Sequence, residues 1–441
     1  VSTAPYHLDL PPFVRRTLGL RARRRIPYDA VVTVRWGEAA YLLTTPDDIR
    51  HVLVDNAENY SKTRLLTSAQ GRLRAGAGLL TASGREHRRQ RALLQPLFHR
   101  DSIEGFTRTI VDRIQRTTAS WRDGAEVDIA KEMARMTLSV MLDSLFGTDA
   151  ATDHDPLIGA IEARRRHTDY VYHSRLPFRT RLPTRVVRAY RKAIVEIDDR
   201  IAEEIRRRRE SGGPNDDLLA MLMSATYSDG STMSDGQIRD EILTLTSAGY
   251  ETLGEALTWT LYLLTRHEDA NDRVTSEIDA VLGGSVPTMY DAAKLEFTSS
   301  VLREAMRLYP PTWIFERVAD ESDELPSGAT VRPGAIMYLC QYVMHRHPRY
   351  FPAPERFDPD RFMPPTQRPF RFVYFPFGDG AHTCIGENFA MLEGVCALAL
   401  ILRRFRLELL PGQNIVPRAG VTLSPRNGLR VKTIEHRAGK N

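Results

Sequence analysis

Cysteine is scarce: Cys340, Cys384 and Cys396 are the three in 441 residues, which excludes a disulfide-built scaffold and a four-cysteine zinc site. Chemistry on sulfur therefore rests on a single thiol. No apolar run approaches the ~20 residues that span a bilayer. Residues 1–29 lack the apolar core of a signal peptide and read as a Pro- and Arg-rich lead-in. The expectation is a cytoplasmic protein with no membrane span, in which the Asn59-Tyr60-Ser61 sequon has no use. Charge of one sign is also lacking, since 61 Lys and Arg face 56 Asp and Glu for a net of +5. So mild an excess gives no argument for nucleic acid and suits a local basic face for an acidic partner. Apolar residues, at 42%, still suffice for a sizeable core.

What is present is mostly helical. Ala30 to Trp36 and Ala39 to Leu43 alternate like a β-hairpin, and Thr45, Pro46, Asp47 and Asp48 open a short helix. Residues 60–83 read as loop. From Gly84 to about residue 283 the pattern is helical nearly throughout, broken at Pro96, Asp123-Gly124, Pro177 to Pro183 and Gly212-Gly213-Pro214. In the longest helix, Ser234-Asp235-Gly236-Gln237 is a capping box. Apolar residues then recur through Ile238, Ile242, Leu245, Leu253, Leu257 and Leu261 to about Arg266. At ~1.5 Å per residue it spans roughly 45 Å, enough to cross one large domain. After Tyr309 the chain turns to Pro-, Gly- and Asp-rich segments with short strands, then one apolar helix from Asn388 to Phe405. With neither repeat nor linker, the expectation is one domain over residues 1–441, mainly α with smaller β regions.

The strongest chemical signal is Phe377-Gly378-Asp379-Gly380-Ala381-His382-Thr383-Cys384-Ile385-Gly386. Its glycines allow a tight turn that aims a sulfur and backbone amides at one point. The positive end of the following helix favours a thiolate there. Gly386 clears the backbone for a flat cofactor. The run resembles the signature of the cytochrome P-450 family, through Phe377, Gly378, Gly380, His382, Cys384 and Gly386. The resemblance implies haem b, with Cys384 as the proximal ligand to its iron, lying between the long central helix and the cysteine-loop helix. Cys340, in a strand-like run, and Cys396, on an apolar helix, read as core.

The rest of the family's pattern is found in order. Ala248-Gly249-Tyr250-Glu251-Thr252 interrupts the long helix with small residues, an acid and an alcohol. Ala248 and Gly249 would let the cofactor and dioxygen approach closely. By resemblance, Thr252 would hydrogen-bond the oxygen being activated and Glu251 would help deliver protons. Its hydroxyl has the option of bonding back to the carbonyl four residues earlier. Glu304 and Arg307 share a helix face and resemble two parts of a structural Glu–Arg–Arg network, completed by Arg361, with Arg356 as second choice. His347 stands where the family often has Asp, which puts a local cap in doubt. His87, Arg91, Arg317 and His382 resemble the partners of the haem propionates.

Resemblance also assigns a largely apolar cavity to Leu65, Leu66, Leu79, Leu80, Tyr170, Tyr172, Leu245, Ala248, Trp313, Ile314, Phe315 and Val421 to Leu423, so the substrate should be hydrophobic. Arg85, Arg88 and Arg89 read as a docking face for an acidic ferredoxin. The expected function is a monomeric monooxygenase using O2 and electrons from a separate ferredoxin and ferredoxin reductase. A terpenoid, polyketide or other secondary metabolite of a bacterium is the expected substrate. Other haem-thiolate chemistry (peroxide-driven oxidation, ring coupling or rearrangement) and a haem-binding sensor are the alternatives, and Glu251-Thr252 favours the monooxygenase.

Overall fold

The computed structural model describes residues 7–18, 25–27, 32–35, 39–68, 71–72, 75–147, 155–173, 182–211, 217–364 and 371–436. Its spine is the helix Asp235–Arg266, 32 residues long, which starts with the capping box of Ser234 and Gln237. Apolar side chains bury on several of its faces because helices Ile129–Phe146, Glu296–Leu308 and Glu387–Arg404 all pack on it. Glycine sets the closeness of one crossing: a Cβ on Gly394 would lie 2.6 Å from Leu302 Cδ2 and 3.4 Å from Leu253 Cδ1. Helices Asp155–His173 and Arg185–Ser211 pack against each other on the other side of the spine. The largest apolar cluster runs through these helices.

A mixed five-stranded sheet stands apart from the bundle, in the order Val32–Arg35, Ala39–Leu43, Ile336–Leu339, Phe315–Ala319 and Tyr60–Ser61. The expected hairpin is its edge pair, with Val32 opposite Leu42, and Ala39–Leu43 then runs parallel to Ile336–Leu339. Two smaller apolar clusters sit against this sheet. A three-stranded sheet joins Phe405–Leu409, Arg430–Glu435 and Glu126–Asp128, the last of these following directly on the expected break at Asp123-Gly124. A two-stranded hairpin pairs Pro417–Ala419 with Leu423–Pro425. Among the described residues no helix is long and apolar enough to cross a membrane. The expected breaks at Pro177 to Pro183 and at Gly212 to Pro214 fall largely outside the described residues.

Two members of the expected ion network pair directly and the third stands farther off. Arg307 makes two bonds to Glu304, at 2.7 and 2.8 Å, and both residues are fully buried. Arg307 also donates to the carbonyls of His345, Pro354 and Arg356. Arg361 Nε lies 3.6 Å from Glu304, and its Nη2 donates to Pro352 O at 2.6 Å. Arg356 contributes to the network through its carbonyl. The cap at His347 is filled by the imidazole, whose Nδ1 accepts from Arg349 N at 3.2 Å.

Candidate active site

The cysteine loop is built by backbone constraint. Gly378 and Gly380 both take φ of +71°, which side-chain-bearing residues seldom adopt. A Cβ on Gly380 would also lie 2.1 Å from Leu53 O, so the turn seats directly on the chain of residues 51–55. Cys384 N donates to Phe377 O at 2.8 Å and closes the loop. Asp379 caps Gly380 N at 2.7 Å and takes both ends of the Arg371 guanidinium. His345 Nε2 accepts from Phe375 N at 3.0 Å and fixes the entry.

Cys384 comes out of this scaffold exposed by area but enclosed by protein, while Cys340 and Cys396 are buried. Burial raises the Cys384 thiol above its ordinary value, opposed by the Gly386 backbone N–H and by Arg91. A cation at the sulfur is what would make it a thiolate. A Cβ on Gly386 would meet nothing within 4 Å, so the side of the helix start is open to a planar group. On the central helix Ala248 is exposed, between the half-buried Ser247 and Gly249.

Gly249 departs from its expected part. A Cβ there would lie 2.2 Å from Met141 Cε, so its missing side chain admits helix Ile129–Phe146. Successive helical residues point about 100° apart, which lets Ala248 face the open side while Gly249 faces the neighbouring helix. Thr252 Oγ1 donates to Ala248 O at 2.8 Å, the back-bond its position allowed. Glu251 Oε1 accepts from Thr422 Oγ1 at 2.7 Å, and burial raises the carboxyl.

The four residues assigned to carboxylate partners converge. His87 Nε2 and His382 Nδ1 are 3.1 Å apart. Burial lowers His87 to about 4 and His382 to about 2, helped by Lys62, Arg91 and Arg317 nearby, so both are neutral at pH 7. Arg91 donates to Thr383 O, inside the cysteine loop. Arg317 is 8% exposed, donates to Glu316 O and meets no carboxylate among the described residues. Buried cationic charge without an anion is costly. A cofactor that bears carboxylates fits this cluster, as a flat one fits Gly386 and Ala248.

Lys62 was missed by sequence reasoning. Its Nζ donates to the carbonyls of Leu79, Leu80 and Ala82 at 2.8 to 3.0 Å, and burial lowers it to about 7. From the other side Glu241 Oε2 accepts from Leu79 N at 3.0 Å. Gly76 and Gly78 let this segment lie on the central helix, where a Cβ would come within 2.6 Å of Asp240 O and 2.5 Å of Thr244 Oγ1. The wall segment is thus clamped at both ends of one turn. In sequence, the only signal is a rare Lys among many Arg.

The cavity set divides. Leu80 is exposed, and Ile314 and Phe315 are half-buried. Leu245 is buried at 7% exposure. Trp313 and Leu423 are 1% and 0% exposed and belong to an apolar cluster beside the sheet, so they support the hairpin and offer no surface to a ligand. The side chain of Leu65 lies outside the described residues. On the outer face Arg85, Arg88 and Arg89 are all exposed; Arg88 lies 3.7 Å from Glu58, and Arg89 pairs with Asp229 at 2.8 Å and lies over Tyr227.

Known proteins match the chain as a whole. The family model for cytochrome P450 matches residues 23–432. Cyclooctat-9-en-7-ol 5-monooxygenase of Streptomyces melanosporofaciens is 34% identical, over 87% of this chain and 84% of its own. Pentalenene oxygenase of Streptomyces avermitilis is 31% identical, over 93% and 91%. A retinoic acid-bound cyanobacterial P450 superposes with a TM-score of 0.83 at 25% identity, covering 92% of each chain. With a family match over nearly its whole length, the chain belongs to the cytochrome P450 family, and is a monooxygenase whose cofactor is haem b.

Proposed function

We propose that Cys384 ligates the haem iron and that His87, Arg91, Arg317 and His382 hold the propionates. The two neutral imidazoles share one N–H in their mutual bond and leave the other as a donor, and the two guanidinium groups offer charge. Haem supplies the activation of O2 and the oxidation of a C–H bond. The chain supplies position, desolvation and protons. Thr252 is back-bonded to Ala248 O, so its hydroxyl oxygen is left to accept and relay a proton at the open face. Glu251, one residue before it and half-buried, is the acid behind it. That pair beside an exposed Ala248 is the observation supporting oxygen activation over a sensor.

The substrate is inferred to be a hydrophobic secondary metabolite of the terpenoid class. Support comes from the apolar residues near the open face and from relatives named for oxidising cyclooctat-9-en-7-ol and pentalenene. Electrons come from a separate ferredoxin and its reductase, with Arg85 and Arg88 as exposed cations for docking, in the cytoplasm. The test is Thr252→Ala with a turning-over substrate. It should bind substrate and consume O2 as before while releasing hydrogen peroxide in place of product. Glu251→Gln should slow the proton-dependent step by roughly 10²–10⁴-fold, as for a general acid–base group. Full coupling in Thr252→Ala would remove the relay.

A further inference from the structure

The hairpin Pro417–Ala419 and Leu423–Pro425 reaches the acid of the central helix from outside it. Thr422, in its turn, is 6% exposed and donates Oγ1–H to Glu251 Oε1 at 2.7 Å. Both flanks of that residue are fixed. Trp313 Nε1 donates to Gly420 O at 3.1 Å, and Trp259 Nε1 donates to Leu423 O at 2.8 Å. Leu423 N in turn donates to Pro311 O at 2.9 Å. Two buried indoles therefore set where the Thr422 hydroxyl stands.

Glu251 is otherwise surrounded by charge. Arg164, Arg165 and Asp169 face it from helix Asp155–His173, Tyr250 and Glu255 from its own helix, and Arg418 comes from the hairpin. Glu255 Oε2 and Arg418 Nε are buried without a hydrogen-bond partner among the described residues, while Arg418 Nη2 pairs with Asp169 at 3.5 Å.

We propose that Thr422 is a positioning residue for Glu251, holding one carboxylate oxygen on a rigid hairpin so that the other exchanges protons between the Glu255–Arg418 side and Thr252. The proposal rests on Glu251 being the proton-delivering acid. A hydroxyl has one proton to donate, and by giving it to Oε1 it favours the ionised carboxylate. This opposes the burial that raises Glu251. Without the hydroxyl the acid's pKa moves up, and it gives its proton to Thr252 less readily.

The experiment compares Thr422→Val, which keeps the shape, with Thr422→Ser, which keeps the hydroxyl, in the haem-loaded enzyme with its reductase system. Thr422→Val should keep the thiolate Soret band of the wild type and lose about tenfold in product per reducing equivalent, the scale of one lost charge-assisted bond. Its solvent deuterium isotope effect should rise, and its rate profile should shift to higher pH. Thr422→Ser should restore both. Independently of turnover, the infrared carboxyl band that vanishes in Glu251→Gln should shift in Thr422→Val. Added to Glu251→Gln, Thr422→Val should change nothing further. If Glu251→Gln is impaired while Thr422→Val matches wild type in coupling and band position, the positioning role is overturned. Equal damage from Ser and Val overturns it in favour of shape. A fully coupled Glu251→Gln overturns the relay, and this proposal with it.

Discussion

Replacing Arg317 by Leu should push the haem-free and haem-loaded proteins in opposite directions. Burial lowers its guanidinium from the ordinary 12.5 to about 10, with no carboxylate to oppose it. At 1.36 kcal/mol per pH unit, that is about 3 kcal/mol of desolvation. The bond to Glu316 O and the Phe315 ring 5.2 Å away return roughly 1–2 kcal/mol. A net cost of about 1–2 kcal/mol remains in the haem-free chain. Unfolding entropy of about 2.1 cal/mol/K per residue over 441 residues is roughly 0.9 kcal/mol/K. Haem-free Arg317→Leu should therefore melt about 1–2 °C above wild type. The folded pKa is depressed below the unfolded one and the charged form bears the cost. The cost is thus fully present below pH 10, and the difference in melting should be constant from pH 6 to 9. In the loaded protein the same change removes the proposed propionate partner, and haem transfer to apomyoglobin should quicken by about tenfold or more. Equal destabilisation of both forms with unchanged haem retention would refute the reasoning.

Cys384→Ser should abolish the red-shifted Soret band of the reduced carbon-monoxide complex, while Cys340→Ser and Cys396→Ser, both at buried positions, keep it. Glu304→Gln should strand Arg307 in a fully buried site at about 3–5 kcal/mol, read as a melting point lower by roughly 3–5 °C. Arg361→Gln, whose contact is 3.6 Å and partly exposed, should cost less. Gly380→Ala should cut the haem-loaded fraction on purification, because its Cβ meets backbone at a positive φ. Gly249→Ala meets only the end of the Met141 side chain, and loading should persist.

The sequence revealed features whose cause is local. Glycines at positive φ shape the cysteine turn, and the capping box of Ser234 and Gln237 starts the central helix. The same holds for Glu304 and Arg307, one turn apart on one helix. Direction around a helix was less legible. Gly249 and Ala248 are both small, and only the position of Met141 tells which of them faces a neighbour. Partners far apart in the chain were illegible, as with Thr422 and Glu251, 171 residues apart. Lys62 depends on three carbonyls that converge only once the loop is folded. Trp313 and Leu423, assigned to the pocket by resemblance, serve as pillars because the hairpin needs apolar support.

The parallel pairing of Ala39–Leu43 with Ile336–Leu339 has a consequence for biosynthesis. Ala40, Leu42 and Leu43 are fully buried in the finished sheet, yet their partner strand is made almost three hundred residues later. At about 5–20 residues per second, a ribosome takes roughly 15–60 s to cover that gap. Throughout it the amino-terminal hairpin presents an unpaired strand and an apolar face to the cell. The cysteine turn, which seats on residues 51–55, is made later still. Haem capture by this chain therefore waits until the cysteine turn has been made, and its yield on expression should respond to chaperone supply and slower growth more than to added haem.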